Sequence, residues 1–183
     1  MKILLHICCA PCAIYPLDTL RKGGHEVTGI FYNPNIHPEQ EYKKRLNEQK
    51  RFVEQFPVKH KVNFVEGKYE PNLFFQEIKG LEQEKEGGSR CLKCFYLRLE
   101  KTAQKTQELK IPYFTTTLTI SPHKNAKAIN QIGSEIAKKY QLSYLLSDFK
   151  KRDGFKRSII LSNQYHLYRQ NYCGCIFSRN NKG

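Results

Sequence analysis

The distribution of hydrophobic and polar positions predicts a chain that begins with a buried strand. Residues 3–7 are branched apolar side chains interrupted only by His6, a pattern typical of a strand covered on both faces, as in a parallel sheet. Pro11 suits the first turn of a helix, because its ring presets the backbone angle and its missing N–H leaves no bond unmade. We expect this helix to continue to Lys22, where two glycines end it.

Strand and helix signals alternate along the rest of the chain. The further predicted strands are residues 27–32, 62–65, 112–118 and 144–147, and the further predicted helices are residues 42–56, closed by Pro57, residues 71–78, a helix starting near Cys91, and residues 126–140. This alternation is typical of an α/β fold. We therefore expect one domain over residues 1–183, a parallel-sheet Rossmann-like (HUP-like) core of about residues 1–147 with helices on both faces. A C-terminal basic and aromatic extension of about residues 148–183 should follow, starting with a basic loop at residues 148–158.

Composition narrows the classes of protein that fit. A chain of 183 residues with 39% hydrophobic content can bury a core without disulfide bonds. We expect no secretion leader and no membrane span, since the apolar run at the start is too short for either, and we therefore expect a cytoplasmic protein. Seven cysteines in a reducing compartment indicate metal ligands or redox thiols rather than structural bridges.

The net charge of +14, from 31 Lys and Arg against 17 Asp and Glu, favours a polyanionic partner. Charge alone would equally suit a solvated lysine-rich face. The position of the basic residues is more informative, because one cluster lies among Phe and Tyr residues, and exposed RNA bases stack on such rings while phosphates pair with cations. The predicted RNA-binding residues are Lys150, Lys151, Arg152, Lys156 and Arg157.

The cysteines form three groups. Cys8, Cys9 and Cys12 follow the first strand, Cys91 and Cys94 have CxxC spacing at a helix start, and Cys173 and Cys175 form a CxC pair. The carboxyl ends of strands are where open α/β sheets bind ligands. Thiolates in these patterns suit an iron–sulfur cluster, a zinc site or a metal-free redox pair. Spacing alone leaves all three open.

Six longer segments carry a resemblance. They are HICCAPC (residues 6–12), YNPNIHPEQEYKKR (32–45), RCLKCFYLRL (90–99), FTTTLTISPHKN (114–125), DFKKRDGFKRS (148–158) and YRQNYCGC (168–175). In content and order they closely resemble the cobalamin-independent epoxyqueuosine reductase family, QueH. The resemblance covers nearly the full chain. It implies reduction of the epoxide of epoxyqueuosine in tRNA to queuosine, the final step of queuosine biosynthesis, with an iron–sulfur cofactor.

Converting an epoxide into an alkene and water takes two electrons and two protons. We expect a four-iron, four-sulfur cluster whose ligands join the strand-end and helix-start groups. Those ligands are Cys8, Cys9, Cys91 and Cys94. Cys12 is then a spare thiol for catalysis or an additional iron, and Cys173 with Cys175 would be a dithiol/disulfide relay. Candidate proton donors or substrate contacts are His6, His37, His123 and Tyr32. The partners would be tRNA and an unidentified electron donor.

Two other functions compete with this prediction. A zinc-stabilised tRNA-binding module would keep the basic and aromatic residues without redox activity. An ATP-dependent tRNA thiolation enzyme would share the fold, but it needs a phosphate-binding SGGxDS-like loop after the first strand, where this chain has CCAPC. Iron and sulfide analysis separates the first alternative from a reductase.

Overall fold

The computed structural model describes residues 1–55 and 62–179. In this part of the chain five strands form one sheet in the order β3-β2-β1-β4-β5, and every neighbouring pair is parallel. The strands are β1 (Lys2–His6), β2 (Glu26–Phe31), β3 (Asn63–Glu66), β4 (Tyr113–Thr116) and β5 (Ser143–Tyr144). The α/β parallel-sheet prediction is confirmed. All strand carboxyl ends lie at one edge of the sheet, which is where the first cysteines follow β1.

Helices cover both faces of this sheet. They are α1 (Ala10–Lys22), α2 (Glu39–Gln55), α3 (Pro71–Glu77), α4 (Ser89–Glu108), α5 (Ala126–Lys139), α6 (Gly154–Gln164) and α7 (Ile176–Arg179). The core has two parts, because successive strand side chains point to opposite faces. Leu5 packs in the cluster that contains Ile14 of α1, whereas Leu4 packs in the cluster that contains Leu99 of α4.

The strand predicted to end at Leu118 ends at Thr116. A 3₁₀ helix over Thr117–Ile120 follows, and the Thr116 hydroxyl accepts a hydrogen bond from the Leu118 amide. Polar capping at Thr116 therefore ends the strand two residues early. The turn places Thr117 beside Cys8, at the carboxyl edge of the sheet.

The predicted basic loop at residues 148–158 was partly wrong, because α6 begins inside it at Gly154. Asp153 precedes the helix with a left-handed backbone (φ 60°). Gly154 is required there, since a Cβ would collide with the Phe149 carbonyl and the Tyr15 ring. The helix packs against α1. Its aromatic and apolar residues are dispersed among cations, so the sequence shows no clear helical period there.

Two further predictions concern Pro57 and the absence of a membrane span. Pro57, predicted to close α2, lies outside the described residues. Among the helices that the structure describes, none has the length and apolar character needed to cross a membrane.

Candidate active site

Cys8, Cys9 and Cys12 lie where β1 ends and α1 begins. Their sulfur atoms lie within 4.8 Å of one another, so this group could hold a metal ion when all three thiols are reduced. Cys9 caps α1 with an extended backbone and is joined to Cys12 by a disulfide bond, with 5.2 Å between the Cα atoms. The Thr117 hydroxyl accepts from the Cys8 amide at 3.1 Å and donates to the Cys8 sulfur at 3.3 Å. The 3₁₀ turn after β4 thus holds Cys8 in place.

Cys91 and Cys94 lie in the first turns of α4. The amide of Gly87, in the turn just before the helix, donates to the Cys91 sulfur at 3.2 Å. Cys94 is buried, and its sulfur accepts from the Arg98 guanidinium one turn later, at 3.9 Å. The CxxC motif therefore places both thiols at a helix start, as the sequence predicted.

The CxC segment is held by α2, far away in sequence. The buried Arg45 donates to the carbonyl oxygens of Cys173 and Tyr172, each at 3.2 Å, and pairs with Glu41 at 2.7 Å. The His37 amide donates to the Gly174 carbonyl at 2.8 Å. These bonds fix the backbone of the CxC pair against the loop that follows β2.

Gly174 allows this fit, and Gly174→Ala is expected to displace the CxC pair. Its φ is +109°, and an added Cβ would lie 2.8 Å from Ile36 Cγ1 and 3.1 Å from Arg45 Nη1. We expect the free energy of unfolding to fall by about 1–3 kcal/mol and Cys173 to be alkylated faster, both measurable on the purified protein. Gly80→Ala is the matched control, because its φ is +83° but its Cβ would meet nothing within 4 Å. Equal losses in both variants would contradict a packing role for Gly174.

Two neighbouring cavities connect the three cysteine groups. One, of about 200 Å³, is lined by thiols from α4 and from the CxC segment, namely Cys91, Cys94, Cys173 and Cys175. The other, of about 320 Å³, is lined by Cys8, Cys12 and Cys173. Both linings also include Glu86, Arg98, His123 and Lys124. Cys173 therefore lies at the junction of the helix-start and strand-end thiols.

The environments of these thiols differ. A hydrogen bond from Cys175, assisted by the charge of Lys124, holds the pKa of Cys173 well below its usual range despite burial, whereas donating that bond raises the pKa of Cys175. Burial raises the pKa of Cys94 to about 11 and also raises the pKa of Cys91. Among the four thiols of the smaller cavity, Cys173 is thus the one whose surroundings favour the thiolate, and it lies where the two cavities meet.

The ligands predicted for the cluster come from two of the three cysteine groups, and the structure places these two groups near each other. Cys91 and Cys94 share their cavity with Cys173 and Cys175, while Cys8 and Cys9 lie with Cys12. Cys173 and Cys175, predicted as a redox pair, are free thiols, and the disulfide joins Cys9 to Cys12. The four-ligand assignment and the relay assignment both remain predictions.

The candidate proton donors have different positions. His123 is exposed and lines both cavities. Tyr32 is buried, its hydroxyl donates to Glu70 at 3.1 Å, and burial raises its pKa. The described linings of the two cavities include His123 and omit Tyr32. His123 is therefore better placed for proton transfer.

His6 and His37 contact the protein framework. The His6 ring bonds the Thr116 hydroxyl at 2.8 Å and the Tyr32 carbonyl at 3.1 Å. Burial, and next the charge of Arg98, lower the pKa of His6, which favours the neutral ring. The His37 ring lies against Phe75, with 4.6 Å between ring centroids. Both geometries are those of structural histidines.

The predicted RNA-binding residues flank the larger cavity. Lys151, Arg152, Lys156 and Arg157 are exposed, and Phe155 between them lines that cavity. The Lys150 ammonium instead donates to the Lys124 carbonyl at 2.8 Å, so it helps to shape the cavity wall.

Sequence reasoning missed Arg45, Arg98 and Gln170. Gln170 donates to the Cys9 sulfur at 2.9 Å. Arg98 follows Cys94 by four residues, the spacing that brings side chains together on one helix face, so helical phase was an available signal for it. No local pattern connects Arg45 or Gln170 to cysteines more than a hundred residues away.

Comparisons with known proteins bear on this site. The family model described as "Epoxyqueuosine reductase QueH" matches residues 3–181. A protein of that name from Streptococcus pyogenes serotype M1 is 46% identical over 100% of this chain and 72% of its own length. Another from Staphylococcus epidermidis is 45% identical, over 100% of this chain and 78% of its own length. A third, from Thermotoga maritima, is 35% identical over 96% of this chain and 89% of its own length.

Proposed function

Since the chain belongs to the epoxyqueuosine reductase QueH family, we propose that its two cavities are where the epoxide of epoxyqueuosine in tRNA is reduced to give queuosine. The chain is an oxidoreductase of this class. The observation that carries the proposal is the convergence of thiols from three distant segments on adjoining cavities. An ordinary core does not collect six cysteines around accessible space.

The reaction defines what the site must supply. An epoxide, two electrons and two protons give an alkene and one water molecule, so each turnover consumes two reducing equivalents. Oxidation of two thiols to a disulfide releases two electrons and two protons, which balances the reaction. An external reductant must then restore the dithiol, and we propose an electron-donor partner for this step. We place the reaction in the cytoplasm, where such thiols are kept reduced.

We propose an iron–sulfur cluster as the cofactor, because the donor set fits one. Four thiols line a single cavity of about 200 Å³, two of them at a helix start, and iron–sulfur clusters are held by cysteine thiolates. When bound, a four-iron, four-sulfur cluster supplies electrons one at a time. The protein's own part is to hold the thiolates and to shield them from water.

The ligand set has two versions that share two members. The prediction from the sequence takes Cys8 and Cys9 together with Cys91 and Cys94, while the shared cavity suggests Cys173 and Cys175 as the second pair. Cys9 can ligate only when its bond to Cys12 is reduced. In that reduced form Cys12 and its two neighbours could hold an additional iron. Iron content of variants at each pair separates these assignments.

We propose that the larger cavity receives the modified base. Phe155 and Tyr172 line it and could stack on a base that is turned out of the anticodon loop, and Arg169 offers a cation to the adjoining phosphates. His123 lies at the boundary of the two cavities, so it can deliver a proton to an epoxide oxygen facing the thiols.

The exposed cations beside this cavity predict salt-dependent tRNA binding. Replacing Lys151, Arg152 and Lys156 together by glutamine should weaken binding, and each lost phosphate contact should lower the slope of log K against log salt by about 1. The control replaces Lys2, Lys22 and Lys110, which are exposed and lie toward the amino ends of the strands. Filter binding across a salt series gives both slopes. Equal slopes for the two triple variants would exclude residues 151–156 as the tRNA surface.

The overall proposal is tested on protein purified without oxygen. We expect stoichiometric iron and sulfide, a broad brown absorption, and conversion of epoxyqueuosine in tRNA to a nucleoside that has lost one oxygen atom, detected by mass spectrometry. A colourless zinc protein that binds tRNA without converting it would support the zinc-stabilised module instead.

A further inference from the structure

Three arginines in this structure are buried, and they differ in what neutralises their charge. Arg45, Arg90 and Arg98 are 2%, 2% and 3% exposed. Arg45 pairs with the carboxylate of Glu41. Arg90 donates to the carbonyl oxygens of Leu81, Glu82 and Glu84 in the preceding loop. Arg98 has neither a carboxylate nor a group of carbonyls among residues 1–55 and 62–179.

The partners of Arg98 are one amide and one sulfur. Its Nη2 donates to Asn33 Oδ1 at 2.6 Å, and its Nη1 donates to Cys94 Sγ at 3.9 Å. Its Nε is buried with no hydrogen-bond partner in the described structure. A buried guanidinium that lacks a counter-charge destabilises the folded state, because an amide dipole replaces only part of the hydration that the guanidinium loses.

The counter-charge must therefore come from the cavities that Arg98 lines. Both linings include its side chain. Glu86 also lines both cavities, but it is exposed and forms no ion pair with Arg98 in the described part of the chain. His6, which lies close enough to feel the charge of Arg98, carries no negative charge in either protonation state. Asn33 cannot turn away, since its amide nitrogen donates to the Ile7 carbonyl at 2.9 Å. The guanidinium is thus held by a fixed amide and directed toward the Cys94 sulfur.

We propose that Arg98 is a positioning residue that provides the fixed positive charge beside the thiolate-bound redox group held at Cys94. This inference rests on the proposed iron–sulfur cofactor. Because Arg98 is only 3% exposed, water screens its charge little, and it stabilises negative charge added beside Cys94 far more than a surface cation would. Arg98 should therefore raise the reduction potential of the group, as outer partners of metal ligands commonly do.

The experiment is a redox titration of the anaerobic holoprotein followed by absorption. Arg98→Gln should move the midpoint potential to a more negative value, and Arg98→Lys should keep it near that of the unmodified protein. Lys93→Gln is the matched control, because Lys93 lies between the two cysteines of the same helix but is exposed. Its charge is screened by solvent and salt, so its removal should leave the potential unchanged.

Asn33→Asp gives an independent variant that keeps the arginine. The new carboxylate would lie against Arg98 and neutralise it, and the potential should again become more negative. An unchanged potential in both Arg98→Gln and Asn33→Asp overturns the inference. If Arg98→Gln loses its iron, iron binding by Arg98→Lys would support a role for the positive charge. Loss of iron in both Arg98 variants would overturn the inference, because the shape of the side chain and not its charge would then matter.

The two proposals fail in different ways. Unmodified protein without iron rejects the cofactor in the proposed function. Unmodified protein with a cluster whose potential does not depend on Arg98 rejects only this inference.

Discussion

Cys91→Ala and Cys94→Ala are each expected to abolish the brown absorption and the iron content of the purified protein. Both thiols line the smaller cavity, and both belong to either version of the ligand set. A missing thiolate cannot be replaced by alanine, and no other cysteine in α4 is available to take its place. Reductase activity should fall by more than about 100-fold, because even the loss of a residue that only hydrogen-bonds to a metal ligand can lower activity by up to about 100-fold.

The measurement combines iron and sulfide analysis with the absorption spectrum and a turnover assay. Lys93→Ala serves as the control, since it changes an exposed residue between the two thiols and leaves both in place. Circular dichroism and thermal unfolding show whether each variant is folded. Full iron content in a folded Cys91→Ala or Cys94→Ala variant would contradict the assignment of these residues as ligands.

The sheet could be predicted from the sequence because its strands carry local signals. In β1, every buried residue except His6 is a branched apolar residue. The CxxC motif at the start of α4 is likewise a local signal. Helix α6 was missed in part because its first turn is basic and its stability comes from packing on α1, which no local pattern records.

The relation between the thiol groups could not be predicted from spacing. Which cysteines share a cavity depends on bonds between distant segments, such as the hydrogen bond from Arg45 to the carbonyl of Cys173. The same holds for the contact between Arg98 and Asn33, which are 65 residues apart. The sequence identified the chemistry of the site, while its arrangement follows from tertiary contacts that involve buried polar groups.

Among variants that keep the cofactor, replacement of the CxC pair is expected to cause the largest loss of turnover. If Cys173 and Cys175 relay electrons, the double variant Cys173→Ser, Cys175→Ser should keep its iron, its absorption and its affinity for tRNA. Its kcat should fall by about 100-fold or more, because serine cannot form the disulfide that balances the reaction. Both thiols are free, and a hydrogen bond joins the Cys175 thiol to the Cys173 sulfur, so the two side chains lie close enough to act together.

The single variants make this prediction sharper. A dithiol needs both members, so Cys173→Ser, Cys175→Ser and the double variant should lose the same factor in kcat, as groups that act as a unit do. Ile176→Ala controls for disturbance of the segment, because Ile176 follows Cys175 and its side chain is 40% exposed. Loss of iron in the double variant would instead assign the pair to ligation and would favour the set of four thiols that line one cavity. Unchanged multiple turnover would show that electrons reach the substrate without either thiol.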